Sequence, residues 1–337
     1  MSDSISAVVK HFCQAWPGES WRDLHVTVAL SGGADSVAML RAVLEIKQQA
    51  LGAGSVTVLH VNHRLRGVES DADAAWCKQL CQTLDVSLTV LTGDATQRAA
   101  ADGDGIEAAA RAERYELLTH AAERLGARYL ATAHTSDDQT ETVLLRLLRG
   151  AGLRGLSGIP RTRALTPALT LVRPLLGCSR EMLMAYLAEL GQSYRTDSSN
   201  LGTDFTRNRV RNDLLPLLRE NYNAEVDDAL LRIAAQAEDA QRLIEALATD
   251  VLAKCELLSR DSQLSLLASA LQGEPTIVVC EALRIAWRNA KLPEQAMTYQ
   301  WWQRLAKLAD GTVEDEILNL PAGVRASTGE GRLCLRW

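Results

Sequence analysis

Ser31-Gly-Gly-Ala-Asp-Ser36 sets two glycines, two hydroxyls and a carboxylate within six residues, a group of side chains suited to holding phosphate. Gly32 and Gly33 can take backbone angles closed to other residues and let a phosphate reach the chain's amides, with only the small Ala34 beside them. Ser31 and Ser36 add hydroxyl donors. Asp35 is out of place in a plain anion site, because its carboxylate repels phosphate unless a divalent cation lies between them. That combination points to a nucleotide plus magnesium, with Asp35 as the metal ligand. No Gly-x-x-x-x-Gly-Lys-Ser/Thr occurs in the chain, which weakens a kinase or GTPase reading.

Three other stretches carry groups able to do chemistry. His60-Val-Asn-His-Arg-Leu-Arg-Gly67 brings together two imidazoles, an amide and two guanidiniums that could bind phosphate or adenine. The imidazoles, His60 more than His63, could instead satisfy local backbone groups. Gly105-Ile-Glu-Ala-Ala-Ala-Arg-Ala-Glu-Arg-Tyr115 is a strong helix former in which Glu107 and Arg111 make an i,i+4 pair and Arg114 lies on a neighbouring arc. It reads either as a solvated ion pair or as an arginine pair that neutralises phosphate charge. In Ala133-His-Thr-Ser-Asp-Asp-Gln-Thr-Glu-Thr142, Ser136 is placed to cap a helix beginning at Asp137, with Gln139 completing a capping box. Asp137, Asp138 and Glu141 then crowd one turn, which is repulsive unless cations sit between them. The helix dipole accounts for two of these acids; magnesium or a substrate ammonium group would account for the set.

The elements that must position these residues are legible from apolar spacing. Runs at Val26–Leu30, Val56–Val61, Leu88–Leu91 and Tyr129–Ala133 alternate with helical stretches, the pattern of an α/β parallel sheet with helices on both faces. The helical run Val37–Leu44 puts the glycine loop at a helix N-terminus, where the partial positive charge favours anions. Ligands of such sheets bind at the carboxyl ends of strands, where Ser31, His63 and His134 all fall. From about residue 224 the text turns to Ala/Leu/Glu-rich helical periods. The expected division is therefore a nucleotide-binding domain over 1–223, then a linker helix and a smaller, mostly helical domain over 224–337. Glu316–Arg325 and Gly331–Arg336 look like two short strands around a glycine-containing turn.

Composition narrows the class. At 337 residues and 47% hydrophobic content the chain suits two domains with real cores, and a net charge of −6 argues against nonspecific polyanion binding over the whole surface. Yet residues 141–180 hold seven arginines, no lysine and one acid, Glu141, a local excess that suits phosphate contacts. The seven cysteines include no Cys-x-x-Cys, so free thiols are expected, with Cys77 and Cys81 packing on one helix face. No apolar run approaches the roughly 20 residues that span a bilayer, and the first residues lack a secretory pattern; a cytoplasmic protein is expected.

Ser-Gly-Gly-x-Asp-Ser resembles the loop of the PP-loop ATP pyrophosphatases, which cleave ATP between the α- and β-phosphates and transfer AMP to an oxygen. The ordered set Ser31–Ser36, His60–Gly67, Gly105–Tyr115, Ala133–Thr142, Arg149–Pro160, Arg173–Leu176, Asp197–Asn200 and Arg207–Pro216 resembles the tRNA(Ile)-lysidine synthetases. Leu318–Arg325 is similar to that family's substrate-binding C-terminal region. Thr135 departs from the pattern, which usually has a second histidine after His134, and the chain is short beside members with a further C-terminal domain.

The resemblance implies an adenine nucleotide α-hydrolase-like fold. It implies ATP and Mg2+ as cofactors, held by Ser31, Gly32, Gly33, Ala34, Asp35, Ser36, His63 and His134. It implies L-lysine and tRNA(Ile) with a CAU anticodon as substrates, no membrane partner, and leaves room for a homodimer. The wobble cytidine's C2 oxygen is adenylated and lysine's ε-amine then displaces AMP. Asp35, Arg111, Arg114, Asp137, Asp138 and Glu141 are the expected catalytic groups, the three acids of one turn sharing the binding and deprotonation of lysine in an order that spacing leaves open. Arg173, Arg207, Asn208, Arg209 and Arg211 are expected to grip the anticodon backbone, although Arg207-Asn-Arg-Val-Arg211 could equally be a charge cluster at a helix start. The rivals are a PP-loop tRNA thiolase, an amide synthetase acting on a small molecule, and a noncatalytic nucleotide-binding regulator.

Overall fold

The computed structural model describes residues 3–64, 67–94, 106–195, 205–260, 262–310 and 317–337, in two compact units, Met1–Ala234 and Ala235–Trp337. Arg66, Gly105, the Glu107 side chain, Asp197–Asn200 and Glu316, all singled out in the sequence, lie outside the described residues.

The first unit alternates as its apolar runs require. After α1 (Asp3–Ala15) come β1 (Val26–Ala29), α2 (Ala34–Ala50), β2 (Val56–Asn62), α3 (Val68–Thr83), β3 (Ser87–Thr92), α4 (Ile106–Arg124), β4 (Tyr129–Ala131) and α5 (Ser136–Leu148). The pair β5 (Thr162–Ala164) and β6 (Thr170–Val172) follows, then α6 (Arg180–Glu189), α7 (Phe205–Arg209), a π-helical turn at Val210–Leu214, α8 (Leu215–Asn221) and α9 (Val226–Lys254). The six strands lie in the order β3-β2-β1-β4-β6-β5, all neighbours parallel except β5 against β6. Strand order therefore reverses direction at β1, and the crevice beyond the carboxyl ends of β1 and β4 is the position at which such sheets bind ligands.

Period-two alternation splits the core between the two faces. Val58 of β2 joins Val26 and Val28 of β1 in a cluster with α1, α2, α3 and α6, whereas its neighbour Leu59 joins Leu130 and Leu171 in a cluster with Leu118 and Ala122 of α4. Helix α2 is buried at Val37, Ala38, Met39, Leu40, Ala42 and Val43, nearly all round, because α1 and α6 share its cluster along with the sheet. The loop at its N-terminus is thereby fixed to a helix packed on several sides. A third cluster joins Val143 and Leu144 of α5 to Val210, Leu215, Leu230 and Ala234, and fastens the α7–π-turn–α8 segment onto α5.

The second unit combines helices with a five-stranded antiparallel sheet. Strands β7 (Leu258–Arg260) and β8 (Gln263–Leu267) precede α10 (Thr276–Asn289) and α11 (Tyr299–Ala309), and β9 (Leu318–Asn319), β10 (Arg325–Gly329) and β11 (Arg332–Arg336) follow; the sheet order is β7-β8-β11-β10-β9. Leu264, Leu266, Leu333 and Leu335, at alternate positions, pack with Trp287 and Trp302, whose rings meet edge to face at 5.6 Å. Glu330 and Gly331, both at positive φ, close the β10–β11 hairpin, so its first strand starts at Arg325 and the turn at Pro321–Gly323 separates it from β9. The division between the two units falls inside α9, at 234/235, where the sequence reading set it at 223/224.

Candidate active site

The glycine loop leaves β1 as Leu30, whose N–H donates to Leu59 O at 2.9 Å. Buried His60 donates from Nδ1 to Leu30 O at 2.8 Å and fixes the point where the loop departs. Gly32 has φ +92°, a conformation side chains rarely adopt, and a Cβ there would stand 3.4 Å from Cys77 Sγ and 3.6 Å from Arg195 Cγ. Its carbonyl accepts the Arg195 N–H at 2.9 Å, while Arg195 Nε donates to Asp73 at 2.8 Å. The serines brace the loop from inside: Ser36 Oγ accepts the Ser31 N–H at 3.2 Å, donates to Gly33 O at 2.9 Å and lies 3.0 Å from Ser31 Oγ. Gly33 caps α2 without any side chain, and Ala34 begins it, so the first-turn amides of a long buried helix open toward the crevice.

Asp35 lies in that first turn. Its Oδ1 is buried and has no hydrogen-bond partner among the described residues. Burial raises its carboxyl above the usual range, opposed by Arg180 and Arg211 and reinforced by Asp138 and Asp137. A buried carboxylate with an orphaned oxygen, close enough to feel two further carboxylates, suits a divalent cation, and by this chemistry Asp35 fits magnesium.

Helix α5 corrects the expected cap by one residue. Thr135, not Ser136, is the N-cap: its Oγ1 accepts the Asp138 N–H at 3.4 Å, and Asp138 Oδ2 accepts the Thr135 N–H at 3.0 Å. The box is thus closed by Asp138 rather than Gln139, because β4 ends at Ala131 and the helix begins at Ser136. The position that departs from the family's second histidine is the one that caps this helix. Gln139 turns instead to the loop after α5, accepting the Ile159 N–H at 2.6 Å and donating to Ser157 O at 3.3 Å; a Cβ on Gly158 would lie 2.5 Å from its Oε1.

Two of the three acids find their cations in protein arginines, and the third meets a backbone amide. Glu141, its side chain only 2% exposed, bonds Arg207 Nε at 3.0 Å through Oε2 and Arg211 Nε through Oε1. Asp138 Oδ1 meets Arg207 Nη2 at 3.1 Å. Asp137 Oδ2 accepts the backbone N–H of Arg180, the first residue of α6, at 2.8 Å. Arg207 and Arg211 stand i,i+4 across the start of the π turn and so share a face, while Val210 points into the third cluster. Arg209 faces solvent, and Asn208 is half-buried. The five residues expected to hold RNA backbone are thus divided: Arg207 and Arg211 pair with the acids, and Arg173 is 5% exposed, with Nη1 donating to Pro160 O at 2.6 Å.

Around Arg173 lies a guanidinium cluster. Tyr115 is flanked by Arg111 at 5.6 Å and Arg163 at 5.2 Å from its ring centre, and Arg173 hydrogen-bonds the Tyr115 side chain while its buried Nε has no partner among the described residues. His134, next to this cluster, is pushed down to about 4, first by burial and then, against the pull of Asp138, by Arg173, Arg111 and Arg207; it is a neutral ring at neutral pH, and its Nδ1 lies 3.2 Å from Thr132 Oγ1. His63 is held lower than usual by burial and uses Nδ1 toward Glu113 at 2.9 Å, with Arg114 Nε 3.4 Å from Nε2. Sequence reasoning missed Arg195, Gln139, Glu113, Tyr115 and Arg163. Arg163 alone had a signal, the arginine excess over 141–180; the others depend on contacts between segments far apart in the chain.

A six-stranded sheet with a serine-glycine loop at its switch point and, on the following helix, an aspartate with one orphaned buried oxygen among the described residues defines a PP-loop nucleotide-binding protein, and the family model for the PP-loop domain matches residues 3–218. The chain is 32% identical over 330 residues to the tRNA(Ile)-lysidine synthase of Rhodopirellula baltica, covering 87% of this chain and 82% of that one. It belongs to the tRNA(Ile)-lysidine synthase family. The enzyme of that name from Symbiobacterium thermophilum is 36% identical over 314 residues, 91% of this chain and 64% of that one. The one from Porphyromonas gingivalis strain W83 is 44% identical over 216 residues, 64% of this chain and 45% of that one. The chain thus spans about half to two thirds of the length of these last two relatives. Among solved structures, the U34-tRNA thiolase of Methanococcus maripaludis, determined with its iron–sulfur cluster, superposes with a TM-score of 0.59 at 16% identity, over 69% of this chain and 79% of that one, a likeness of fold. Among the described residues no helix is long and apolar enough to cross a membrane.

Proposed function

We propose that this protein forms lysidine: it adenylates the C2 oxygen of the wobble cytidine in a CAU-anticodon tRNA(Ile) and lets the ε-amine of L-lysine displace AMP. The observation that carries this reading is the meeting of two groups at one sheet edge. The Asp35 oxygen left without a hydrogen-bond partner among the described residues, at the start of α2, feels the charge of Asp138 and Asp137 at the start of α5, in a chain whose relatives are named for that reaction.

The residues divide between the two steps. In adenylation, charge builds on the leaving pyrophosphate, and the first-turn amides of α2 are preorganised to receive it. Asp35, with Asp138 near it, would hold Mg2+, which neutralises and orients the phosphates when bound. Arg111 and Arg163, stacked on Tyr115, present fixed positive charge beside the neutral His134. In the second step lysine must shed a proton. Glu141 has both oxygens engaged by Arg207 and Arg211, so it anchors those arginines. Asp138 is engaged at both oxygens too, by Arg207 and by the Thr135 cap, so binding the ammonium and taking its proton falls to Asp137. The cytidine must leave the anticodon stack to present its C2 edge. Exposed Arg149, Arg161, Arg180 and Arg209 are among the described arginines available for backbone phosphates.

The thiols argue for nitrogen over sulfur as the nucleophile. Burial pushes Cys77 up to about 12 and Cys81 and Cys178 up to about 11, and such thiols are poor nucleophiles. The test is incubation with ATP, Mg2+, labelled L-lysine and a CAU-anticodon tRNA(Ile) transcript. Label is expected in the RNA, with AMP and pyrophosphate released in step. ATP–pyrophosphate exchange without labelled RNA would overturn the reading.

A further inference from the structure

Between the two arginines of α4 that face the crevice lies Glu113, an acid for which the reaction above has no use. It is buried to 14% side-chain exposure beside an equally buried His63. Its two oxygens have different partners. Oε1 accepts the backbone N–H of Asp94 at 2.7 Å, and Oε2 lies 2.9 Å from His63 Nδ1. Gly93 makes the approach possible, since a Cβ there would stand 2.3 Å from Oε2. On the far side of the ring, Arg114 Nε approaches His63 Nε2 at 3.4 Å.

These contacts leave one arrangement of protons. An ionised carboxylate only accepts and a guanidinium only donates, so His63 must carry its proton on Nδ1 and offer the Nε2 lone pair to Arg114. We infer that Glu113 is a positioning residue which, by fixing the His63 tautomer, aims the Arg114 guanidinium into the nucleotide site. The inference rests on the proposed adenylation for the role of Arg114; the tautomer itself does not depend on it. His63 is correspondingly a mount for Arg114, with both ring nitrogens engaged, and not a direct phosphate ligand.

Glu113→Gln separates this from ordinary packing because the amide keeps the shape but has one accepting oxygen. The Asp94 N–H is a fixed donor, whereas His63 can exchange tautomers, so the amide oxygen stays with Asp94 and its NH2 turns to His63. Nδ1 must then accept, the proton moves to Nε2, and that N–H opposes the Arg114 N–H. Long-range proton–nitrogen correlation spectra of histidine-labelled full-length protein, with His63 assigned by the loss of its signals in His63→Asn, should show Nδ1–H in the native protein and Nε2–H in Glu113→Gln. Either protein showing the opposite tautomer overturns the inference.

Adenylation of tRNA, followed by pyrophosphate release, should fall about a hundredfold in kcat, the scale of a misplaced catalytic group, with KM for ATP within about twofold. In an Arg114→Ala background the same substitution should cost nothing further. Full activity in Glu113→Gln, or an equal loss with and without Arg114, overturns the positioning role. If the native protein does not adenylate tRNA, the proposed function fails while the spectra still decide the tautomer.

Discussion

Arg207 and Arg211 give the sharpest test of how this site is built, because sequence reading assigned them to RNA and the structure sets them against an acid. Glu141 is 2% exposed at its side chain, whereas Arg207 and Arg211 are 33% and 37% exposed. The carboxylate therefore depends on the arginines more than they depend on it. Removing one guanidinium leaves the other in place, and with solvent already screening each arginine a single alanine should cost about 1–2 kcal/mol. Removing both strands a buried charge, which costs about 3–5 kcal/mol. In a unit of this size 1 kcal/mol moves the melting midpoint by about 2–4 °C, so Arg207→Ala/Arg211→Ala should melt about 6–20 °C lower, by more than the two single variants together. Adding Glu141→Gln removes the stranded charge and should recover most of the loss. Calorimetry with both units present, following the transition of the first unit, reads all four proteins. A double variant within about 2 °C of the native midpoint, or a triple variant less stable than the double, would refute the reasoning. Arg209→Ala, on the exposed side, should leave the midpoint unchanged and reduce the salt slope of tRNA binding by about one.

Two further outcomes follow from the buried titrating groups. Asp35 is raised by burial, so the folded state holds its proton at pH values where the unfolded state has lost it, and stability falls as pH rises through that interval. Asp35→Asn should therefore melt higher than the native protein at pH 7, by a margin that vanishes below the ordinary carboxylate range, and should not adenylate tRNA; an unchanged midpoint at pH 7 or normal pyrophosphate release speaks against its role. His134 is pushed down to about 4, so the unfolded chain takes up a proton first and stability is lost as pH falls from the ordinary histidine range toward that value. His134→Gln should flatten this part of the pH–stability curve, and a curve of unchanged slope would show that the ring is not buried in its neutral form.

Much of this protein is written locally. The strand runs, the glycine loop and the helix after it follow from side-chain period and from backbone angles that only Gly32 can take without strain, and these depend on neighbours a few residues apart. The crowding of Asp137, Asp138 and Glu141 was legible for the same reason, as was the need for cations among them. Which cations could not be read. Arg207 and Arg211 lie about seventy residues downstream of Glu141, and only the packing of Val210 and Leu215 against α5 turns their shared face toward it. Arg173 lies where its charge alone would not place it: a charged residue reads as surface, and the fold buries it against Tyr115 and Pro160 O. The cap of α5 moved from Ser136 to Thr135 because one residue of phase depends on where β4 ends, which the sheet decides. Sequence alone thus supplied the groups and their local geometry. The charge partners came from tertiary packing, because electrostatic pairing depends on distance in space and takes no account of separation along the chain.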